Sequence, residues 1–230
     1  RSTITASQHV ADALEAHYGR RIPAIPYGAA LPDPGDSGLC ARLGVTPGRF
    51  TLFVGRLVPE NNAHLLINAH RRAATGWPLV IVGDAPYAEG YVRELHAAGE
   101  GADVIFTGYM FGDGYAELVH RCGVMCAPTE VGGTHPVIIE GMAAGACMLV
   151  SDHAPNLEAT AGTAATFPIA EGAEGLAHAL AALAADAPRR RRLGAAAAAV
   201  ARERYSWATC AERYLTVLRA ARSRRTAGRR

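Results

Sequence analysis

Thr51-Leu52-Phe53-Val54-Gly55, a helical interval carrying Leu65, Leu66 and Ala69, and then Pro78-Leu79-Val80-Ile81-Val82-Gly83 together set the architecture. Each apolar run is too short for a globular helix and stops on glycine. A strand with one wet face alternates apolar and polar residues. A strand that is apolar throughout is buried on both faces, as parallel strands are when helices cover the sheet.

The same rhythm repeats downstream. Asp103-Val104-Ile105-Phe106 leads to Gly108 and a helix marked by Tyr115, Leu118 and Val119. Val124-Met125-Cys126-Ala127 ends at Pro128, and a helix is expected from Pro136 to Ala144. Cys147-Met148-Leu149-Val150 gives a fifth strand and Ala164-Ala165-Thr166-Phe167 a sixth. Strands alternating with helices in this way predict an α/β protein with a doubly wound, Rossmann-like parallel sheet and C-terminal helices. The closing helices are expected over 173–186 and 188–222, split at Pro188 and broken again at Tyr205-Ser206-Trp207, where Ser206 suits an N-cap. The last of them places Trp207, Tyr214, Leu215 and Leu218 roughly on one face, as a packing surface.

Residues 1–48 read differently. Val10, Ala13 and Leu14 mark a helix, and Ile25–Pro47 is rich in Pro and Gly. The segment is expected to be an inter-domain linker remnant and the entry into a sheet domain over 49–222. Arg1-Ser2-Thr3-Ile4 has neither an initiator Met nor a signal-peptide layout, so the chain reads as a fragment. Residues 223–230 read as a basic, disordered tail.

Charge is unevenly spread. The formal total is +2, yet residues 219–230 carry six arginines and no acid, so the body of the chain is net acidic. That body is not built for nucleic acid. The tail alone could touch nucleic acid or, peripherally, an anionic membrane, and a solvated, frayed end is the plainer reading. No apolar run approaches the roughly 20 residues of a membrane span. All 23 cationic residues are Arg, which removes lysine chemistry. Five Cys without metal-type spacing read as reduced thiols of a cytoplasmic protein.

Ligands of open parallel sheets bind outside the carboxyl ends of the strands. That rule selects Gly55-Arg56, Gly83-Asp84, Gly108-Tyr109, Thr129–Pro136 and Ser151-Asp152. In Val131-Gly132-Gly133-Thr134-His135-Pro136 two glycines allow close backbone approach, and Pro136 suits the first helical position. The amides of Val137 and Ile138 would then face outward with the helix dipole behind them, an anion site fit for a diphosphate. Glu140, among Ile138, Ile139 and Met142, needs partners because an unpaired buried carboxylate is costly. Two ribose hydroxyls would serve, and so would a salt bridge. Arg56 could grip phosphate through its planar fork, or be an ordinary surface arginine. Asn61-Asn62 suits a helix cap.

Two motifs, Phe53-Val54-Gly55-Arg56-Leu57-Val58-Pro59-Glu60-Asn61-Asn62 and Glu130-Val131-Gly132-Gly133-Thr134-His135-Pro136-Val137-Ile138-Ile139-Glu140-Gly141-Met142-Ala143-Ala144-Gly145, resemble the C-terminal half of retaining GT-B-fold enzymes of glycosyltransferase family 4. The form with Pro-Glu-Asn-Asn and Gly-Gly-Thr-His-Pro looks like a rhamnosyltransferase-like subgroup. The resemblance implies a nucleoside-diphosphate sugar as substrate, no metal or other cofactor, and an N-terminal acceptor-binding domain across the cleft. It implies that Arg56 grips the diphosphate and Glu140 the ribose. It further implies that the base lies against Tyr109 and Met110. The family's diphosphate Lys falls at Asn61 and its first acidic residue at Gly132. With those two changed, the diphosphate would rest on Arg56 and the Val137 and Ile138 amides. The sugar would rest on Gly133, Thr134 and His135. The implied reaction moves a sugar with retention of configuration, Arg56 and the helix start stabilising the departing phosphate. Two other classes share the architecture: a nucleotide-sugar epimerase, and a non-catalytic binding module.

Overall fold

The computed structural model describes residues 3–227. Helix α1 (Gln8–Tyr18) and the short helix α2 (Leu39–Arg42) precede the sheet. The alternating part runs β1 (Thr51–Val54), α3 (Ala63–Ala73), β2 (Leu79–Val82), α4 (Glu89–Gly99), β3 (Val104–Gly108), α5 (Gly112–Arg121), β4 (Val124–Ala127), α6 (Pro136–Ala143), β5 (Met148–Ser151), α7 (Ala154–Thr160) and β6 (Ala165–Phe167). Helices α8 (Gly172–Ala185), α9 (Ala187–Arg204) and α10 (Trp207–Ala227) close the chain. The six strands lie in the order β3-β2-β1-β4-β5-β6, and every pairing is parallel.

Apolar strands make two cores, because successive side chains leave a strand on opposite faces. Phe53, Leu79, Ile81 and Leu149 pack on one face with Leu66, Leu95 and Leu180 from α3, α4 and α8. Leu52, Val80, Val82 and Val150 pack on the other with Leu118, Ile139 and Ala197 from α5, α6 and α9. The connections from β1 to β2 and β3 therefore cover one face, and those from β3 to β4 and onward cover the other. The reversal falls between β1 and β4.

Two glycines let the layers approach. At Gly83, with φ 135°, a β-carbon would stand 1.9 Å from the Gly55 carbonyl oxygen, so the ends of β1 and β2 meet at a distance only glycine permits. At Gly141 a β-carbon would meet the Met148 and Met125 sulfurs at 2.6 and 2.7 Å, which seats α6 directly on the sheet.

Residues before β1 are tied down by carboxylates. Glu158 of α7 accepts from the Gln8 and His9 amides at 2.7 and 2.8 Å and from the Ser7 hydroxyl at 3.0 Å, capping α1. Glu117 of α5 is buried and accepts from the Ser37 and Cys40 amides at 2.7 and 2.9 Å, capping α2. Asp33 pairs with Arg121 at 2.9 Å. At the other end, Ser206 accepts the Thr209 amide at 3.1 Å, and Asp186 caps α9, which holds Pro188 in its first turn. Helix α10 continues through Ala227, so the backbone of 223–227 is helical where the sequence predicts an irregular tail. Ala and Arg favour the helix, and the first glycine after Trp207 is Gly228. The tail arginines at 229 and 230 lie outside the described residues. Among the described residues no helix is long and apolar enough to cross a membrane.

Burial alone would raise the pKa of Glu117, but hydrogen bonds from Ser37 and Cys40 outweigh it and bring it from 4.5 to about 2. The folded chain binds fewer protons there than the unfolded one. The stability gained is therefore full above 4.5 and lost as pH falls towards 2. Glu117→Gln is expected to lower stability by about 1–2 kcal/mol at neutral pH, the usual size of a lost cap. Urea denaturation at neutral pH and again in acid should show the difference from wild type shrinking as the wild-type carboxylate is protonated.

Candidate functional site

In a sheet of this order the crevice opens where connections depart to opposite faces, here at the carboxyl ends of β1 and β4. A cleft of about 270 Å3 lies there, and its lining includes Gly55, Arg56, Asn61, His135, Val137 and Glu140. Six of the residues singled out by sequence are thus brought together from two separate segments.

The wall after β1 is held by its own amides. Asn62 takes a left-handed backbone (φ 55°) and is buried. Its side chain does not cap α3; it donates to the Pro128 carbonyl at 3.0 Å and so ties the end of β1 to the end of β4. Asn61 donates to the Arg56 carbonyl at 2.8 Å, which turns its amide group inward. The Arg56 guanidinium is exposed, donates to the Tyr87 hydroxyl at 3.3 Å and has no carboxylate partner among the described residues.

The opposite wall is the loop from Thr129 to His135. Its base is fixed in the core: the Thr129 carbonyl accepts from Ser151 Oγ and, at 3.1 Å, from Asn156 Nδ2. Higher up, His135 Nε2 donates to the Val131 carbonyl at 3.1 Å and His153 Nε2 to the Gly132 carbonyl at 3.0 Å. A carbonyl only accepts, so both rings carry their proton on Nε2 when neutral. A trans peptide plane points its C=O and N–H in opposite directions. The Gly132 and Gly133 amides are therefore turned away from the two histidines. With those of Thr134 and His135, they donate to no protein acceptor among the described residues.

Helix α6 begins as its sequence predicts, with Pro136 in the first turn. One expectation is corrected. The Ile138 amide is not free but donates to the His135 carbonyl at 3.1 Å, because the first turn closes tightly; Val137 keeps an unbonded amide. Glu140 is half-buried, and the Tyr115 hydroxyl donates to its Oε2 at 2.5 Å.

Other candidates stand elsewhere. Tyr109 and Met110 follow β3, two strands from β1, and neither lines the cleft; Tyr109 is 54% exposed and stacks on Phe111 at 6.4 Å. Gly133 faces Val10 and Ser7 of the α1 region, and Thr134 is buried on the far side of the loop. Gly132, with φ 97°, sits at the rim. Sequence reasoning missed Tyr87, Tyr115, His153 and Asn156 as contributors. His153 follows Ser151-Asp152, a strand end already selected, whereas nothing local marks Tyr115. Among the described residues no cluster of His, Cys, Asp or Glu is placed to hold a metal ion.

Residues 44–200, more than half of the chain, match the family described as Glycosyl transferases group 1. The chain belongs to that family. No curated protein matches the chain. Among solved structures, this glycosyltransferase domain is similar to Anabaena Alr3699/HepE in complex with UDP-glucose: 23% identity, TM-score 0.85, covering 95% of this chain and 64% of that one. It is also similar to sucrose-phosphate synthase from Thermosynechococcus elongatus (22% identity, TM-score 0.77, 96% and 58%). A third is α,α-trehalose 6-phosphate synthase from Burkholderia multivorans (16% identity, TM-score 0.77, 100% and 60%). These likenesses show the fold. The chain spans less than two thirds of the length of each.

Burial, with His153 and Arg56 adding like charge, holds the His135 pKa below the ordinary 6.5. The folded chain binds fewer protons there than the unfolded one, so this contribution to stability is full above 6.5 and lost as pH falls through the depressed value. Arg56→Ala removes a like charge and is expected to move the His135 titration upward. An NMR titration of the imidazole carbon-bound protons checks it; an unmoved curve would mean that Arg56 does not contribute to the depression.

Proposed function

We propose that this domain binds a nucleoside-diphosphate sugar and serves as the donor half of a family 4, rhamnosyltransferase-like enzyme that transfers the sugar with retention of configuration. One observation carries this: an arginine with no carboxylate partner among the described residues and the free amide of a helix start line one cleft together with Glu140. The anion would bind between Arg56 and Val137, where a fixed positive field already exists. Glu140 would take the pentose. His135, its Nε2 donated to Val131, keeps Nδ1 as an acceptor for a sugar hydroxyl. The loop amides of Gly132, Gly133 and Thr134 supply donors to the sugar or phosphate. HepE forms complexes with UDP-glucose and with UDP, which supports a nucleotide sugar as the ligand of this fold.

In such a transfer the glycosidic bond to phosphate breaks in an oxocarbenium-like transition state, and negative charge grows on the departing diphosphate. Arg56 and the α6 start meet that charge as preorganised donors, with no metal in the scheme. Asn61 contributes no charge, so Arg56 carries more of the load than it would beside a lysine. The base would extend towards Tyr109 and Met110.

The acceptor would sit on a further domain facing the cleft. Trp207, Tyr214, Leu215 and Leu218 of α10, all more than 40% exposed, give that domain an apolar surface to cover. The body of the protein belongs in the cytoplasm, and its arginine-rich end is the part suited to an anionic membrane surface. Asn61 and Gly132 are the observations that favour a binding module without transfer.

Calorimetric titration with UDP, GDP, dTDP and ADP tests the proposal. One of them is expected to bind, and Arg56→Ala and Glu140→Ala are each expected to weaken it by at least about tenfold, as loss of a charge-assisted contact does. No binding to this chain or to the full-length protein would overturn the proposal. Binding by the full-length protein with no sugar transfer would leave the module reading instead.

A further inference from the structure

Glu140 has two carboxylate oxygens, and the protein itself already supplies a donor to one of them. Tyr115, on the middle of α5, donates its hydroxyl to Oε2 at 2.5 Å, while Oε1 has no bond from any described residue. The phenol is partly buried against the same core that seats α6. Burial, then the hydrogen bond to Glu140, pushes its pKa far up, so it stays a donor. Among the described residues Arg56 is the cationic group and His135 the imidazole sharing the cleft with Glu140, and neither is hydrogen-bonded to it.

This arrangement bears on which pentose the site takes. A site built to bond a substrate hydroxyl rejects the analogue lacking it because its own polar group is left unpaired. A ribose presents two adjacent hydroxyls, one for each oxygen of a free carboxylate; a 2′-deoxyribose presents one. With Oε2 held by Tyr115, a ligand that offers a single hydroxyl to Oε1 leaves no oxygen of Glu140 without a donor. The usual penalty against the deoxy sugar is absent.

We propose that Tyr115 is a specificity-determining residue which already gives one oxygen of Glu140 its donor, so that the cleft admits 2′-deoxyribonucleoside diphosphates nearly as well as ribonucleoside diphosphates. This rests on the cleft being the nucleoside-diphosphate site. Replacing Tyr115 by Phe leaves Oε2 without its donor. A diol then satisfies both oxygens and a single hydroxyl does not, so discrimination between the two pentoses emerges.

The test compares matched pairs that differ by one hydroxyl: UDP with 2′-deoxy-UDP, GDP with 2′-deoxy-GDP, ADP with 2′-deoxy-ADP, and dTDP with its ribo analogue. Affinities are measured by calorimetry for wild type and Tyr115→Phe, whose fold is checked by thermal unfolding. For the pair whose base binds, wild type is expected to show a ratio within about threefold, and Tyr115→Phe a preference for the diol of about tenfold or more. The ratio is the readout, because a merely structural role for Tyr115 would lower both affinities together. A wild-type preference for the diol of tenfold or more overturns the inference, even if the variant does not fold. An equal ratio in a folded variant overturns it too. Binding by no pair, to this chain or to the full-length protein, removes the site reading and the inference with it.

Discussion

Everything at the cleft depends on one constraint: six parallel strands point their carboxyl ends the same way, and their connections change faces between β1 and β4. Helices leaving in opposite directions cannot fill the space above that junction. The peptide groups emerging there are the first ones freed from the ladder, and they need partners. Gly83 passing close to the Gly55 carbonyl narrows one side, and the Asn62 bond to the Pro128 carbonyl fixes the width of the other.

The loop after β4 meets this constraint by turning its carbonyls inward. Ser151 and Asn156 hold Thr129, and two imidazoles hold Val131 and Gly132. Peptide planarity converts that clamp into a row of outward amides. Preorganisation of this kind is useful to a ligand that carries charge, because the donors are already oriented when it arrives. Gly132 belongs to the same logic. Its φ of 97° is a course that residues with side chains rarely follow, so a side chain at that position would strain the loop.

Membership of the glycosyl transferases group 1 family describes the scaffold, and its own polar side chains arrange the cleft. Asn61 spends its amide on the Arg56 carbonyl, which braces the turn around the arginine without adding charge. Glu140, likewise, is braced by Tyr115. In both cases a polar side chain near the cleft is oriented by a protein partner before any ligand is present.

The sequence by itself determined the sheet, the order of its helices and most of the residues on the two cleft walls. Runs such as Leu79–Val82 are buried on both faces, and burial on both faces is written in composition. The ends of those runs pick out Arg56 and His135 by position along the chain, and Glu140 stands out as a carboxylate among apolar residues of the next helix; the structure brings all three to one cleft. Only the tertiary structure decided who holds them. Tyr115 reaches Glu140 from 25 residues away and His153 reaches Gly132 from 21. Such partners share no local spacing, because distance in space is set by the packing of α5 and the β5–α7 turn against the sheet. The closing of Ile138 onto His135 and the withdrawal of Tyr109 from the cleft have the same origin. Hydrogen-bond geometry and strand order act in three dimensions, and a one-dimensional pattern carries only their average.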